Sequence, residues 1–233
     1  MRIASTKPLF AWDCLDDSPS LRTVRRFLES LPDARLLASL RRHRGRGRND
    51  YEVTSLWGVL VLTIVLRHTG IESCLAELRR NGGLRRLIGI ESESGVPNGY
   101  NLSRFLDVLG REPHRSLLRE VFETMIATMG EVVADLGKDT AGDSTALNAR
   151  PGRGAACDDL PPPSDGRKEY LDEDGNVTSV MEWMGYKLHL LVDRKHEVAV
   201  AYETTAPSVA DAGEVPALVE GAERVLGAGR VET

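Results

Sequence analysis

An all-helical domain followed by a smaller helix-and-strand domain is the fold class predicted for this chain of 233 residues. Three observations lead to it. Apolar residues recur at helical spacing from Leu21 to about residue 130. From about residue 136 the chain turns to small and β-branched residues that alternate in the manner of strands. Charge divides at nearly the same place. Ser20–Arg119 holds 18 Arg, no Lys and 10 acidic residues, a net of +8, whereas residues 120–233 hold 10 basic and 22 acidic, a net of -12. With -1 from residues 1–19, the chain totals -5. A basic front joined to an acidic back suits a nucleic-acid-binding module attached to a carboxylate-bearing domain.

The remaining composition removes several classes. A hydrophobic share of 41% with 28% charged residues is that of an ordinary globular protein. Cys14, Cys74 and Cys157 lie far apart with no Cys-x-x-Cys spacing, which argues against a zinc site and a disulfide framework. A reducing cytoplasm fits best. Met1–Leu15 has no apolar core of the secretory kind. The strongest apolar run, Val53–Leu66, is too short to span a bilayer, so no membrane partner is expected.

The helices follow in order. Leu21, Val24 and Leu28 predict an amphipathic helix over 20–30. Pro32-Asp33 breaks it, and Asp33 can cap a second helix through Leu36, Leu37 and Leu40. Arg41–Arg48, five arginines with two glycines, predicts a basic loop, either solvated or gripping phosphates. Ser55 can cap the apolar helix that ends near Gly70. Ile71–Arg80 is a shorter helix with Asn81-Gly82-Gly83 as its stop, and Leu84–Ile88 adds a turn or two. Asn101 is the expected cap of a helix over 102–109. Pro113 opens a longer helix to about Met129.

Beyond residue 136, Lys138–Asn148 reads as a strand, Arg150–Gly166 as a loop, and Asp174-Gly175 as the turn of a small hairpin. Trp183–Val192 and Glu197–Thr205 read as strands joined by a turn at Asp193–His196, and Asp211–Leu226 as a helix. Strand, strand, strand, helix is the opening half of an RNase H-like fold. The predicted class is therefore α + α/β: an N-terminal segment (1–19), a helical, basic, DNA-binding domain (20–132) and an incomplete RNase H-like α/β domain (136–233).

Certain phrases carry a family resemblance. "LWGVLVLTIVLRHTGIESCLAELRRNGGLRRLIGI" and "VPNGYNLSRFLDVLG" resemble the N-terminal domain of many bacterial insertion-sequence transposases. "GDSTALNAR", "GYKLHLLVD" and "TTAPSVADAGEVPALVE" resemble the start of their DDE catalytic domain. The resemblance covers roughly residues 50–226. It implies a cytoplasmic protein of DNA-mediated transposition that binds the double-stranded ends of its element, forms homo-oligomers and, when complete, cleaves and transfers DNA strands with Mg²⁺ or Mn²⁺.

The resemblance makes Asp143 the first catalytic and metal-binding Asp. Strand transfer is an in-line phosphoryl displacement that two Mg²⁺ ions about 3.5–4 Å apart can stabilise, and carboxylates hold such ions. From its neighbours alone, Asp143 could equally be a turn or cap residue, because Gly142 and Ser144-Thr145 permit one. The family's second Asp lies on the strand after the helix at 212–226, and its Glu lies later. The chain reaches only Thr233, so a C-terminally truncated transposase is expected, with an unpaired sheet edge that favours self-association. Asp193, ending a strand, and Asp211, capping a helix, are poor substitutes, and Glu232 sits near the missing position. Arg79, Arg80, Arg85, Arg86, Arg104, Arg111 and Arg115 are the candidates for phosphate contacts, since arginine suits bidentate recognition. The five histidines show no metal-ligand spacing, and His189 reads as a half-buried sheet residue. The competing reading is a DNA-binding remnant or regulator of a transposase without catalysis. A third is another RNase H-like nuclease.

Overall fold

The computed structural model describes residues 19–45, 50–149 and 161–232. The segment 1–18, residues 46–49 of the basic loop and residues 150–160 of the long loop lie outside them. The chain divides into two compact units, Met1–Val121 and Phe122–Thr233. The boundary falls inside a helix, earlier than the 132–136 junction that composition suggests. Among the described residues no helix is long and apolar enough to cross a membrane.

The first unit is helical: α1 (Pro19–Ser30), α2 (Ala34–Arg44), α3 (Val53–Val65), α4 (Ile71–Arg80), α5 (Gly82–Leu87), a 3-10 turn at Glu93–Gly95, α6 (Gly99–Leu109) and the start of α7 (His114–Val132). Its core takes Leu36 and Leu40 from α2, Val59 and Leu62 from α3, Leu75 and Leu78 from α4, and Leu102 and Phe105 from α6. Residues three and four apart supply one face of each helix, which is why these segments coil rather than extend. Gly58 marks a close approach. A Cβ there would collide with the Ile88 side chain, so α3 meets the end of α5 only because the position is glycine.

Several caps differ from the expected ones. Ser55 lies inside α3, buried, and donates to the Ile88 carbonyl at 2.8 Å, so it ties two helices instead of starting one. Asn98, not Asn101, caps α6. Its Oδ1 accepts from Asn101 N–H at 3.0 Å, and Asn101 Oδ1 accepts from Asn98 N–H at 3.3 Å, a reciprocal capping box. Asn81 both ends α4 and caps α5 through Leu84 N–H at 3.2 Å. Asp33 precedes α2 without a capping bond, because its carboxylate takes the Trp57 indole N–H at 2.6 Å. Arg41–Arg44 are helical rather than looped, completing the last turn of α2, where cations suit the helix dipole.

The second unit is a mixed helix-and-sheet body. It contains the end of α7, β1 (Thr140–Asn148), β2 (Ser164–Leu171), β3 (Val177–Asp193), β4 (Val198–Thr205) and α8 (Asp211–Leu226). All strand pairs are antiparallel. The 17-residue β3 is the spine. Its second half lies between β1, with Asp143 opposite Leu190, and β4, with Tyr202 opposite Leu190. Its first half pairs with β2 alone.

Leu191, Val200 and Ala201 of the sheet meet Leu218, Ala222 and Leu226 of α8 and Ile126 of α7 in one core. Arg224 binds Glu123 at 3.1 Å, and Arg230 caps α7 by donating to the Gly130 and Val133 carbonyls at 2.6 and 2.8 Å. These contacts draw the end of α7 into the second unit. Near the C-terminus, Thr140 N–H and Oγ1 donate to the Glu232 carbonyl at 3.0 and 2.7 Å, while Glu232 N–H donates to Gly137 O at 2.9 Å. Residues 230–232 thus run beside β1 in the parallel sense.

Candidate functional site

Directly opposed residues of a strand pair share a face, so the register of β1 sorts its side chains. Gly142, Ser144 and Ala146 stand opposite Leu191, His189 and Lys187, on the face covered by α8. Asp143, Thr145 and Leu147 stand opposite Leu190, Leu188 and Tyr186, on the other face. All three are exposed. Asp143 therefore sits in the middle of a strand with its carboxylate open to water, where Oδ1 accepts the N–H of Ser144 at 2.7 Å. It is a strand residue, not the turn or helix cap that its neighbours also permit.

The α8 face beneath it carries a polar network. Lys187 Nζ donates to Asp211 at 3.0 Å and to the Val209 carbonyl at 2.8 Å. His189 is buried, not half-buried. One ring nitrogen lies 2.8 Å from Thr205 Oγ1 and the other 3.7 Å from Asp211. Ser144 also hydrogen-bonds Asp211. Burial pushes the Asp211 carboxyl up, but the bonds from Lys187 and Ser144 and the charge of Lys187 outweigh it, so it titrates below the usual carboxylate range. The first turn of α8 is thereby pinned to β1, β3 and β4 at once. Sequence spacing places Lys187, His189, Leu191 and Asp193 on one face, but the partner from α8 lies too far along the chain to be inferred.

The other carboxylates are committed elsewhere. Asp193 is fully buried and accepts from Gly137 N–H at 2.7 Å and His196 N–H at 2.8 Å, closing the ends of β1 and β3. Glu232 pairs with Lys138 at 2.9 Å. A Mg²⁺ pair needs several converging carboxylate oxygens. Among the described residues, no three His, Cys, Asp or Glu side chains are grouped to hold a metal ion. Among the described residues Asp143 is therefore not part of such a group.

The candidate arginines divide by what they already hold. Arg85 Nη1 donates to the carbonyls of Leu78 and Arg79 at 3.0 and 3.2 Å, satisfying the exposed end of α4. Arg86 donates to Gly82 O at 3.2 Å, Arg80 pairs with Glu77 at 3.0 Å, and Arg115 with Glu112 at 3.3 Å. Arg79 is half-buried and Arg111 exposed. Arg104 is exposed, 5.8 Å from the Tyr100 ring centre, and borders a cavity of about 420 Å³. Leu40, Phe105 and Val108 line that cavity, with His43, Arg44 and Tyr51 at its polar parts. The sequence pattern gave no sign of the cavity, because α2, α3 and α6 build it together.

Comparison with protein-family models, with curated proteins and with solved structures finds no match to this chain.

Proposed function

We propose that this chain is a DNA-binding protein of the DDE-transposase kind, with its helical unit on double-stranded element-end DNA and Asp143 as the first carboxylate of an RNase H-like site. The observation that carries the reading is the placement of Asp143. It stands at the centre of an exposed strand face, beside the spine strand, with α8 on the opposite face. A strand that followed α8 in the direction of residues 230–232 would lie next to β1. The net charge of +8 over residues 20–119 supports a polyanion as the partner of the helical unit.

The dispersed carboxylates favour a second reading, a DNA-binding regulator that does not cleave. One set of experiments addresses both. Binding of a labelled duplex is expected to need no Mg²⁺. Its affinity is expected to fall roughly 10²-fold between 50 and 200 mM salt for about four phosphate contacts. Asp143→Ala should leave that binding unchanged. Undetectable or salt-independent binding would sink both readings. Mg²⁺-dependent nicking abolished by Asp143→Ala would select the first. Binding without nicking would select the second.

A further inference from the structure

The first half of β3 and the whole of β2 form a two-stranded arm, Ser164–Met184, closed by a turn at Asp172–Asn176. Asp172 Oδ1 accepts from Asp174 and Asn176 N–H at 3.0 and 2.7 Å, so the turn is built and not merely open loop. At the base Trp183 lies across Gly166, where any Cβ would collide with the indole. Beyond that point no residue from Val177 to Glu182 is buried on either face. Val177, Val180, Met181 and Met184 are between 38% and 55% exposed. Of the flanking strands, β1 reaches β3 only as far as Gly185. A two-stranded ribbon of this kind is marginal in water and gains stability when another surface covers it.

Charge decides what that surface is. Between Ser164 and Met184 there are six acidic residues (Asp165, Glu169, Asp172, Glu173, Asp174, Glu182) against Arg167 and Lys168, a net of -4. Such an arm repels nucleic acid and seeks a cationic protein surface. This chain makes one. Its helical unit is basic, with Arg25, Arg26, Arg41 and Arg42 exposed on α1 and α2.

We infer that the β2–β3 arm docks on the basic helical unit of a second copy of the chain. Each copy carries one arm and one acceptor, so two such contacts close a two-fold dimer. The apolar side chains supply buried area and the acidic ones select the partner. The contact does not depend on the DNA-binding reading, and light scattering without DNA tests it alone.

The full chain is expected to scatter as a dimer, twice 25.6 kDa, at low salt. It should dissociate towards 25.6 kDa near 1 M salt, where the screening length is about 3 Å. A benzoylphenylalanine at Met181 should give a covalent dimer on irradiation, with the adduct in a peptide from residues 20–119. The charge-reversed arm, Glu173→Arg with Asp174→Arg and Glu182→Arg, should be monomeric with unchanged far-ultraviolet dichroism. A monomer at all concentrations, an adduct confined to one chain or to residues beyond 119, or a folded charge-reversed dimer would each overturn the inference. If the reversed variant does not fold, the position of the photo-adduct decides.

Discussion

The two halves of β3 are one continuous strand under opposite conditions. From Lys187 to Asp193 it has β1 on one side, β4 on the other and α8 across one face, with Leu191 fully buried. From Val177 to Met184 it has only β2, and Trp183 is the sole buried side chain. Backbone pairing is present in both halves, so hydrogen bonds alone do not set the difference. Burial does, because apolar area removed from water is the dominant favourable term. The sharpest way to break this contrast is a pair of truncations. Leu191→Ala should lower unfolding stability by about 2–5 kcal/mol, from lost transfer energy plus the cavity left in the α7–α8–sheet core. Val180→Ala, on the arm, should stay within about 0.5 kcal/mol when both variants are compared near 1 M salt, where the chain is monomeric. Urea denaturation of both variants measures the gap, and equal losses would show that the arm is packed within the monomer.

A second contrast lies between two aspartates joined by the same sheet. Asp193 has no solvent exposure and accepts from two backbone N–H groups, those of Gly137 and His196. Asp143 is exposed, and its carboxylate accepts from the N–H of the next residue. Removing a buried acceptor leaves its donors unpaired, so Asp193→Ala should cost on the order of 3 kcal/mol. Asp143→Ala should cost almost nothing. A stability loss at Asp143 as large as that at Asp193 would make it a structural residue and weaken its placement in a functional site. A cheap and exposed carboxylate on a rigid strand is free to serve something other than the fold.

Much of this was legible in the chain. The order of the helices, of β1 and of β4 follows from the sequence pattern. By contrast, β2 begins at Ser164, inside the stretch read as a loop to Gly166, and only the Asp174-Gly175 turn points to it. The pairing of β3 with β4 around the Asp193–His196 turn does follow from the pattern. What the periodicity missed has identifiable causes. The strand begins at Val177 rather than Trp183, because Val177-Thr-Ser-Val-Met-Glu182 has no buried face to impose alternation. The true cap of α6 was hidden because Asn98 and Asn101 are both good caps, and the reciprocal bonds use both. Ser55 and Asp33 look like caps locally, but Ile88 and Trp57 claim their side chains from a distance. The Ser144–Asp211–Lys187–His189 network joins residues up to 67 positions apart, a separation that no local pattern reports.

The smallest expected effect concerns how the anchored half of β3 is closed at its end. Asp135, just before β1, takes bonds from Lys195 and from His196 in the turn after β3. The Lys195 bond, then the His196 bond, hold its carboxyl down to about 2, against an ordinary 3.8. A carboxylate depressed on folding adds stability above its unfolded value, and that contribution disappears as pH falls through the folded one. The difference in urea midpoint between the wild type and Asp135→Asn should therefore be constant down to about pH 4 and close towards pH 2. Solvent screening keeps it below either core effect, since both partners are largely exposed. A gap that widens on acidification would mean that Asp135 is held in its protonated form instead, and that the turn beyond β3 is secured by something other than this pair.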